Sequence, residues 1–147
     1  MGTRSNTVVY DDEVYEGVVY DELNRYGQAV EILNLYRQHD GYVEGHGAEL
    51  LAFLEPMTIV NGFTTGLTNI ANGSGCLAAQ LVSHFKKKVG EFYIMAPLGK
   101  DEFDNEYTYK IYVSGGPVYI SIEVFYWDDL VFSGNVSEFK EFVERKL

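Results

Sequence analysis

The sequence predicts a single α+β domain in which helices pack on one face of a mainly antiparallel sheet. Its length of 147 residues fits one domain. Twelve tyrosines and nine phenylalanines are typical of a chain rich in β-sheet. The hydrophobic pattern changes between a period of two and helical spacing in the order β-β-α-α-β-β-β-β-α. Such an order places helices against an antiparallel sheet.

The first half of the chain contains two predicted strands and a helix. "NTVVY" (6–10) is a short β-prone run, and "AVEILNLYR" alternates and predicts a strand over 30–37. Between them, residues 11–28 are acidic and irregular, and we interpret them as an insertion or loop with "VYEGVVY" as a possible extra strand. "HDGYVEGHG" has turn chemistry, and it precedes the helix "AELLAFL", which Pro56 ends.

The middle of the chain is predicted to be a long loop followed by the longest helix. "NGFTTGLTNIANGSG" is rich in glycine, asparagine and threonine, and Ser74 or Gly75 then opens the helix "CLAAQLVSHFKKKVG". Lys86–Lys88 occupy its predicted last turn, where the helix dipole favours cations, and Gly90 is the predicted αL cap. Its predicted buried stripe consists of Leu77, Leu81, Val82, Phe85 and Val89.

The last third is predicted to be four strands and a final helix. "EFYIMAP" is one strand, and "LVFSG" is a short last strand. The alternating runs 107–113 and 118–126 predict a hairpin around the turn at 114–117. "NVSEFKEFVERKL" predicts a helix in which Asn135 and Glu138 form a capping box.

The charge balance disfavours direct binding to nucleic acid. The chain has 22 acidic and 11 basic residues, and its net charge of −11 repels phosphate backbones. Two alternatives stay open: a local basic patch, or an acidic surface that imitates nucleic acid. Cys76 is the single cysteine, so no intramolecular disulfide forms, which fits a reducing compartment. We expect no membrane association, because no apolar run reaches about 20 residues.

The segment from His39 to His46 carries side chains that metals prefer. His39, Asp40, Glu44 and His46 all offer ligand atoms for zinc or iron. Their spacing matches no strong zinc signature, so we expect no metal and no other cofactor. The alternative interpretation is that Asp40 bonds the turn backbone while the histidines are surface polar groups.

The sequence contains no complete catalytic constellation. Ser74, Cys76 and Ser83 are possible nucleophiles and the three histidines are possible bases, but no GxSxG motif occurs. Cys76 falls among apolar helix positions, which predicts a buried, inert thiol. His84 lies at the edge of the buried stripe and is expected to be hydrogen-bonded there. We assign no catalytic residue and expect a protein that is not an enzyme.

Two glycine-rich loops each precede a helix and are candidates for binding. A helix N-terminus after "NGSG" is a possible anion site, although it lacks the Lys-Ser/Thr of a P-loop and no clear strand precedes it. If the two helices pack side by side, both loops rim one recognition surface. Its predicted residues are His39, Asp40, Tyr42, Glu44, His46, Asn72 and Ser74. We expect Asp40 to brace the turn, with Tyr42 and His46 partly exposed.

Three stretches of this chain resemble a family of small uncharacterised proteins from phages and prophage-bearing bacteria. They are "MGTRS", "LYRQHDGYVEGHGAELLAFL" and "NGSGCLAAQLVSHFK". The chain differs at Val43, where the family usually has proline. The matching positions of the family core are Tyr36, Asp40, Gly41, Tyr42, Gly45 and Gly47. The resemblance implies a viral context and no catalytic residues.

These observations predict a non-enzymatic binding protein of phage origin that acts in the host cytoplasm. The expected partner is a host protein, such as a defence or regulatory factor that it inhibits, or a small anionic ligand. One alternative is a small nucleotide-binding protein or enzyme that uses the two glycine-rich loops. Another is a virion or homo-oligomer-forming protein, since exposed tyrosines favour interfaces.

Overall fold

The computed structural model describes residues 2–12, 29–60, 69–99, 101–114 and 120–147. It contains eight strands: β1 (Ser5–Asp12), β2 (Val30–Arg37), β3 (Thr58–Val60), β4 (Ile70–Asn72), β5 (Phe92–Ile94), β6 (Tyr107–Ser114), β7 (Ile120–Tyr126) and β8 (Asp129–Asn135). The helices are a π-helical turn (Val43–Gly47), α1 (Ala48–Leu54), α2 (Gly73–Phe85) and α3 (Val136–Lys146).

Six of the strands form one mixed sheet in the order β5-β2-β1-β6-β7-β8. The two central strands, β1 and β6, run parallel, and their register pairs Ser5 with Tyr107 and Asp12 with Ser114. Every other neighbouring pair in this sheet is antiparallel. The predicted fold class, α+β with a mainly antiparallel sheet, is therefore confirmed.

The three α-helices cover one face of the sheet, because alternate strand residues present a continuous apolar surface there. Val9, Ile111 and Ile122 come from three neighbouring strands and are fully buried in this core. Helix α2 lies over β2, β1 and β6, and α3 lies over β7 and β8. The helices contribute Leu50, Leu54, Leu77, Leu81, Phe139 and Val143 to the same core.

The opposite face of the sheet has a smaller core that is rich in aromatic rings. Tyr10 and Tyr112 stack there with ring centroids 4.7 Å apart. The Lys110 ammonium lies 5.1 Å from the ring centroids of Phe103 and of Phe125, and burial lowers the pKa of Lys110. These cation–π contacts compensate for part of the solvation that a buried ammonium loses.

Most predicted elements are confirmed, with small shifts of their ends. Strand β2 and helix α1 have the predicted bounds, and β1 extends beyond 6–10 on both sides through Asp12. Residues 13–28, which include most of the predicted acidic insertion and "VYEGVVY", lie outside the described residues. The predicted loop over 61–75 contains β4, which pairs parallel with β3 just before the loop, so a short strand does precede α2.

The C-terminal end of α2 was predicted wrongly. The helix ends at Phe85, and Lys86 is already extended. The chain leaves the helix there because residues 90–92 turn back to join β2 as β5, with the Gln38 amide donating to the Glu91 carbonyl. Val89 is therefore 96% exposed instead of buried, and Gly90 adopts its positive φ in this turn instead of capping the helix.

The predicted hairpin and the final helix are confirmed. Tyr107 pairs with Tyr126 and Val113 with Ile120, both antiparallel, while residues 115–119 of the turn lie outside the described residues. At the start of α3, the Asn135 side chain accepts from the Glu138 amide, and the Glu138 carboxylate accepts from the Asn135 amide. Within the described ranges, no helix has the length and apolar character needed to cross a bilayer.

We expect the Asn135→Ala substitution to lower the free energy of unfolding by about 1 kcal/mol, because it removes the side-chain acceptor of the capping box. Urea denaturation of the parent and the variant measures the difference. Ser137→Ala, at an exposed position of the same helix turn, is the matched control and should change stability by less than about 0.5 kcal/mol. Equal destabilisation by the two substitutions would contradict this role of the cap.

Candidate functional site

The turn between β2 and α1 is held by an unusual backbone conformation and by close packing against β1. Asp40 has a φ of +60°, which Asp tolerates better than most residues. Its carbonyl accepts from the His46 amide at 2.7 Å. Next to it, a Cβ on Gly41 would lie 2.8 Å from the Arg4 carbonyl carbon. The Asp-Gly pair therefore allows the π-helical turn to lie directly on β1.

His46 emerges from this turn into the core and makes a hydrogen bond through each ring nitrogen. Its Nδ1 lies 3.1 Å from Nη1 of Arg37, and its Nε2 lies 2.6 Å from Oγ1 of Thr7. Arginine only donates hydrogen bonds, so Nδ1 is the acceptor. The neutral ring then carries its proton on Nε2, which donates to Thr7. One imidazole thus joins β1, β2 and the turn.

The environment of His46 keeps its ring neutral. The side chain is fully buried and lies between the rings of Phe85 and Tyr109, with both centroids 5.1 Å away. Burial, with a smaller contribution from the Arg37 charge, lowers the pKa of His46 to about 3. A neutral imidazole that uses both nitrogens is a structural connector and cannot accept a proton from a bound ligand.

Arg37 extends from His46 towards the surface and remains only 5% exposed. Its Nη1 also donates to the carboxylate of Glu49, and its Nη2 makes a long contact of 3.4 Å with Glu91. The guanidinium lies over the ring of Phe92, 5.0 Å from the centroid. Its Nε, itself a buried atom, has no hydrogen-bond partner among the described residues. Arg37 therefore keeps unused donor capacity although it is buried.

A cavity of about 260 Å³ lies against Arg37, between the end of α2 and the turn before β5. We call it the basic cavity. Its charged lining consists of Arg37, Lys87 and Lys88 against the carboxylates of Glu49 and Glu91. Cations thus outnumber acids here, whereas acids outnumber bases 22 to 11 in the whole chain. The charged groups of this lining therefore sum to a small positive charge, three cations against two carboxylates, although the chain as a whole is acidic.

A second cavity of about 330 Å³ adjoins the first, because His84 and Lys87 line both. We call it the apolar cavity, since Phe53, Pro56 and Met57 form much of its wall. The exposed His84 ring separates the two and lies 5.0 Å from the ring of Phe53. Together the cavities form a groove between α1 and α2, the α1–α2 groove.

The predicted site residues near the turn are only partly brought together, and the predicted exposure of His46 was wrong. His39, Asp40 and Glu44 are exposed, as is Tyr42, at 37%. The Asp40 carboxylate contacts His39 Nδ1 and Tyr42 Oη, each at 3.4 Å, and it is the Asp40 backbone carbonyl that braces the turn. His46 is buried because its two hydrogen bonds and its ring contacts point into the core.

The second glycine-rich loop does not share a surface with this turn. Asn72 is exposed and Ser74 half-buried at the N-terminal end of α2, whereas His46 contacts Phe85 at the other end of that helix. Twelve residue steps separate Gly73 from Phe85, or about 18 Å at 1.5 Å per residue. The two loops therefore lie at opposite ends of α2.

Helix α2 also carries Cys76 and His84, which the sequence suggests as a possible nucleophile and a possible base. Cys76 is half-buried and accepts a hydrogen bond from Gln80, with a distance of 3.4 Å. His84 was expected to be hydrogen-bonded, but its contacts in the described structure are with the rings of Phe53 and Phe85. In the described part of the chain, no three His, Cys, Asp or Glu side chains cluster as metal ligands.

Sequence reasoning missed the residues of the α1–α2 groove, above all Arg37, Lys87 and Glu91. One signal was available: Arg37 has the same strand parity as the buried Leu33 and Leu35, so an inward-facing arginine was predictable. The sequence predicts a helical conformation for the run of three lysines. In the structure the run follows the end of α2, where Lys87 and Lys88 line the basic cavity. No protein-family model, curated protein or solved structure matches this chain.

We expect stability to fall as the pH drops from about 6.5 towards 3, because His46 is neutral when folded and protonates readily when unfolded. The unfolded state binds more protons in that window, so the free energy of unfolding decreases by at most about 1.4 kcal/mol per pH unit from this group. Urea denaturation across the window should give a shallower slope for His46→Gln. Equal slopes for the parent and His46→Gln would contradict the assignment.

Gly41→Ala should prevent stable folding or lower the melting temperature strongly, because the new Cβ would lie 2.7–2.9 Å from Ser5 and Arg4. Two of those three contacts are with backbone atoms, which cannot rotate away. Gly75→Ala, where no heavy atom lies within 4 Å, is the control and should be neutral or slightly stabilising. Thermal melting followed by circular dichroism measures both, and a mild effect at Gly41 would show that the turn can move off β1.

Proposed function

We propose that this chain is a non-enzymatic binding protein whose α1–α2 groove takes a ligand with an anionic group. The observation that carries this proposal is the placement of buried Arg37 against a cavity rimmed by Lys87 and Lys88. A guanidinium beside a cavity favours a carboxylate or phosphate group. The acidic surface outside the α1–α2 groove would repel the same anionic group, so binding would be confined to the groove.

The local connections of the lysines support binding by Lys87 and Lys88 in particular. Lys86 donates to the carbonyls of Gly90 and Phe92 and holds the turn before β5. Lys87 bonds a carbonyl of α2, that of Ser83, and keeps its charge beside the cavity. Lys88 makes no hydrogen bond or ion pair among the described residues. Lys88 is thus the cation most free to close on a ligand.

The shape of the groove favours a ligand with two chemically different parts. Its anionic part would lie in the basic cavity against Arg37, and an uncharged part would contact Phe53 and Met57 in the apolar cavity. The apolar cavity, at about 330 Å³, is at the lower end of the size range of small-molecule sites, roughly 300–1,000 Å³, and the basic cavity, at about 260 Å³, is just below it. A peptide side chain or a small metabolite would fit this description, and both belong to the partner classes that the sequence predicts.

A binding role fits this site better than catalysis does. His46, the histidine nearest to Arg37, is sealed in the core with both nitrogens engaged. The two glycine-rich loops lie at opposite ends of α2, which weakens the alternative of a nucleotide site between them. We further propose a phage origin, which rests on the sequence resemblance. Action in the host cytoplasm on a host defence or regulatory factor is proposed from the small size, the acidity and the single cysteine of the chain.

We expect inorganic phosphate and citrate, the two anionic probes, to bind the parent at low salt in isothermal titration calorimetry. Lys87→Gln/Lys88→Gln should weaken binding by about tenfold or more, the equivalent of about 1.4 kcal/mol, because charged hydrogen bonds are lost. Amide chemical shifts in ¹H–¹⁵N spectra should move at residues 84–92 and around Glu49.

The matched control is Lys140→Gln/Lys146→Gln, which removes the same charge from α3. It should bind both probes like the parent. Equal weakening in the two double variants would mean that only net charge matters. A parent that binds neither probe, or shift changes confined to other residues, would contradict the proposed site.

A further inference from the structure

The turn between β7 and β8 has a tryptophan where the backbone favours glycine. Tyr126 pairs with Asp129, so Trp127 and Asp128 form a two-residue hairpin turn. Trp127 has a φ of +52°, a region that two-residue turns usually fill with Gly, Asn or Asp. The Trp127 amide donates to the Glu106 carbonyl at 2.7 Å, which holds this conformation. Strained backbone conformations of bulky residues are found mainly at functional sites.

Packing does not account for this tryptophan. Trp127 is 44% exposed although it is the only tryptophan of the chain. Three apolar side chains beside it are exposed to a similar degree: Tyr126 at 45%, Leu130 at 53% and Val131 at 45%. Because Tyr126 pairs with Asp129 and Phe125 with Leu130, Tyr126 and Leu130 lie on opposite faces of the hairpin. We call these four residues at its end the hairpin patch. Exposed clusters of this kind mark interaction surfaces, and Trp and Tyr contribute most to binding in such surfaces.

The hairpin patch adjoins an open edge of the sheet. Strand β8 ends the strand order, and its outer edge pairs with no other strand in the described structure. The edge contains neither lysine nor proline, which proteins commonly use to block pairing with a further strand. A register shift near Val131 interrupts this edge, and the Asn135 amide already donates to the Glu138 carboxylate. Little continuous backbone remains for a further strand, so a partner would bind mainly through the hairpin patch.

The charge around the hairpin patch identifies the kind of partner. Asp128 and Asp129 belong to the turn itself, and the segment that holds Trp127 carries the exposed Asp104 and the half-buried Glu106. Lys110 lies nearby but is buried under aromatic rings. Arg4, whose amide binds the Glu106 carboxylate, is exposed. Acids thus dominate the rim, and a second copy of this acidic chain would be repelled.

We propose that the hairpin patch docks a basic polypeptide segment of another protein. Trp127 is the anchor, and its side chain inserts between apolar side chains of the partner. Asp128 and Asp129 attract the partner's lysines or arginines. This surface is independent of the α1–α2 groove, so either proposal can fail without the other.

The fluorescence emission of Trp127, the single tryptophan of the chain, reports peptide binding in this experiment. The probes are a capped heptapeptide of alternating lysine and valine and its counterpart of alternating glutamate and valine. The lysine peptide should change Trp127 emission saturably, with weaker binding as salt increases, and the glutamate peptide should not. Asp128→Asn/Asp129→Asn should weaken lysine-peptide binding several-fold more than the control Glu141→Gln/Glu144→Gln, which removes the same charge from α3.

A structural role for Trp127 is tested separately with Trp127→Asn, which suits the positive φ. We expect this variant to melt within about 3 °C of the parent and to lose lysine-peptide binding in calorimetry. A much lower melting temperature would mean that the tryptophan is needed for packing and would overturn the proposal. So would an equal response to both peptides, equal binding by the two double variants, or a parent that self-associates through Trp127 in sedimentation experiments.

Discussion

The His46 ring, hydrogen-bonded to Thr7 on one side and to Arg37 on the other, is the interaction on which the site geometry depends. It joins the central strand β1, its neighbour β2 and the turn that starts α1. Its faces also contact Phe85 at the end of α2 and Tyr109 of β6. Because the arginine can only donate, the ring must stay neutral and keep its proton on Nε2. Burial of the ring, with a smaller contribution from the Arg37 charge, lowers the pKa of His46 and so agrees with this arrangement.

The position of Arg37 follows from that of His46. A buried guanidinium loses solvation, and His46, Glu49 and Glu91 replace part of it. The same contacts fix the guanidinium plane over Phe92, and Arg37 lines the basic cavity in this fixed position. A charge fixed in advance at a cavity costs a ligand little ordering, which is how a small site in an acidic protein can favour an anion.

The two proposed surfaces differ in charge and lie at opposite edges of the six-stranded sheet. The α1–α2 groove adjoins β2 and β5, and the hairpin patch belongs to β7 and β8. Five strand spacings of about 4.8 Å separate β5 from β8, roughly 24 Å in all. Ligands at the two surfaces would therefore not collide. Their opposite charges would also select different chemical groups, since each would repel the other's ligand.

The sequence by itself determined the type of nearly every element, because strand alternation, helical spacing and the Asn135–Glu138 cap are local patterns. It also determined the sign of the overall charge. Local patterns failed where distant contacts decide: Val89 was assigned to a helix that ends early so that β5 can pair with β2, and His46 was assigned to the surface. Only the tertiary structure decided that His46 and Arg37 are buried together, since that depends on β1 lying between β2 and β6. This strand order is set by pairings far apart in the chain, whose hydrogen-bond partners no short window of sequence contains.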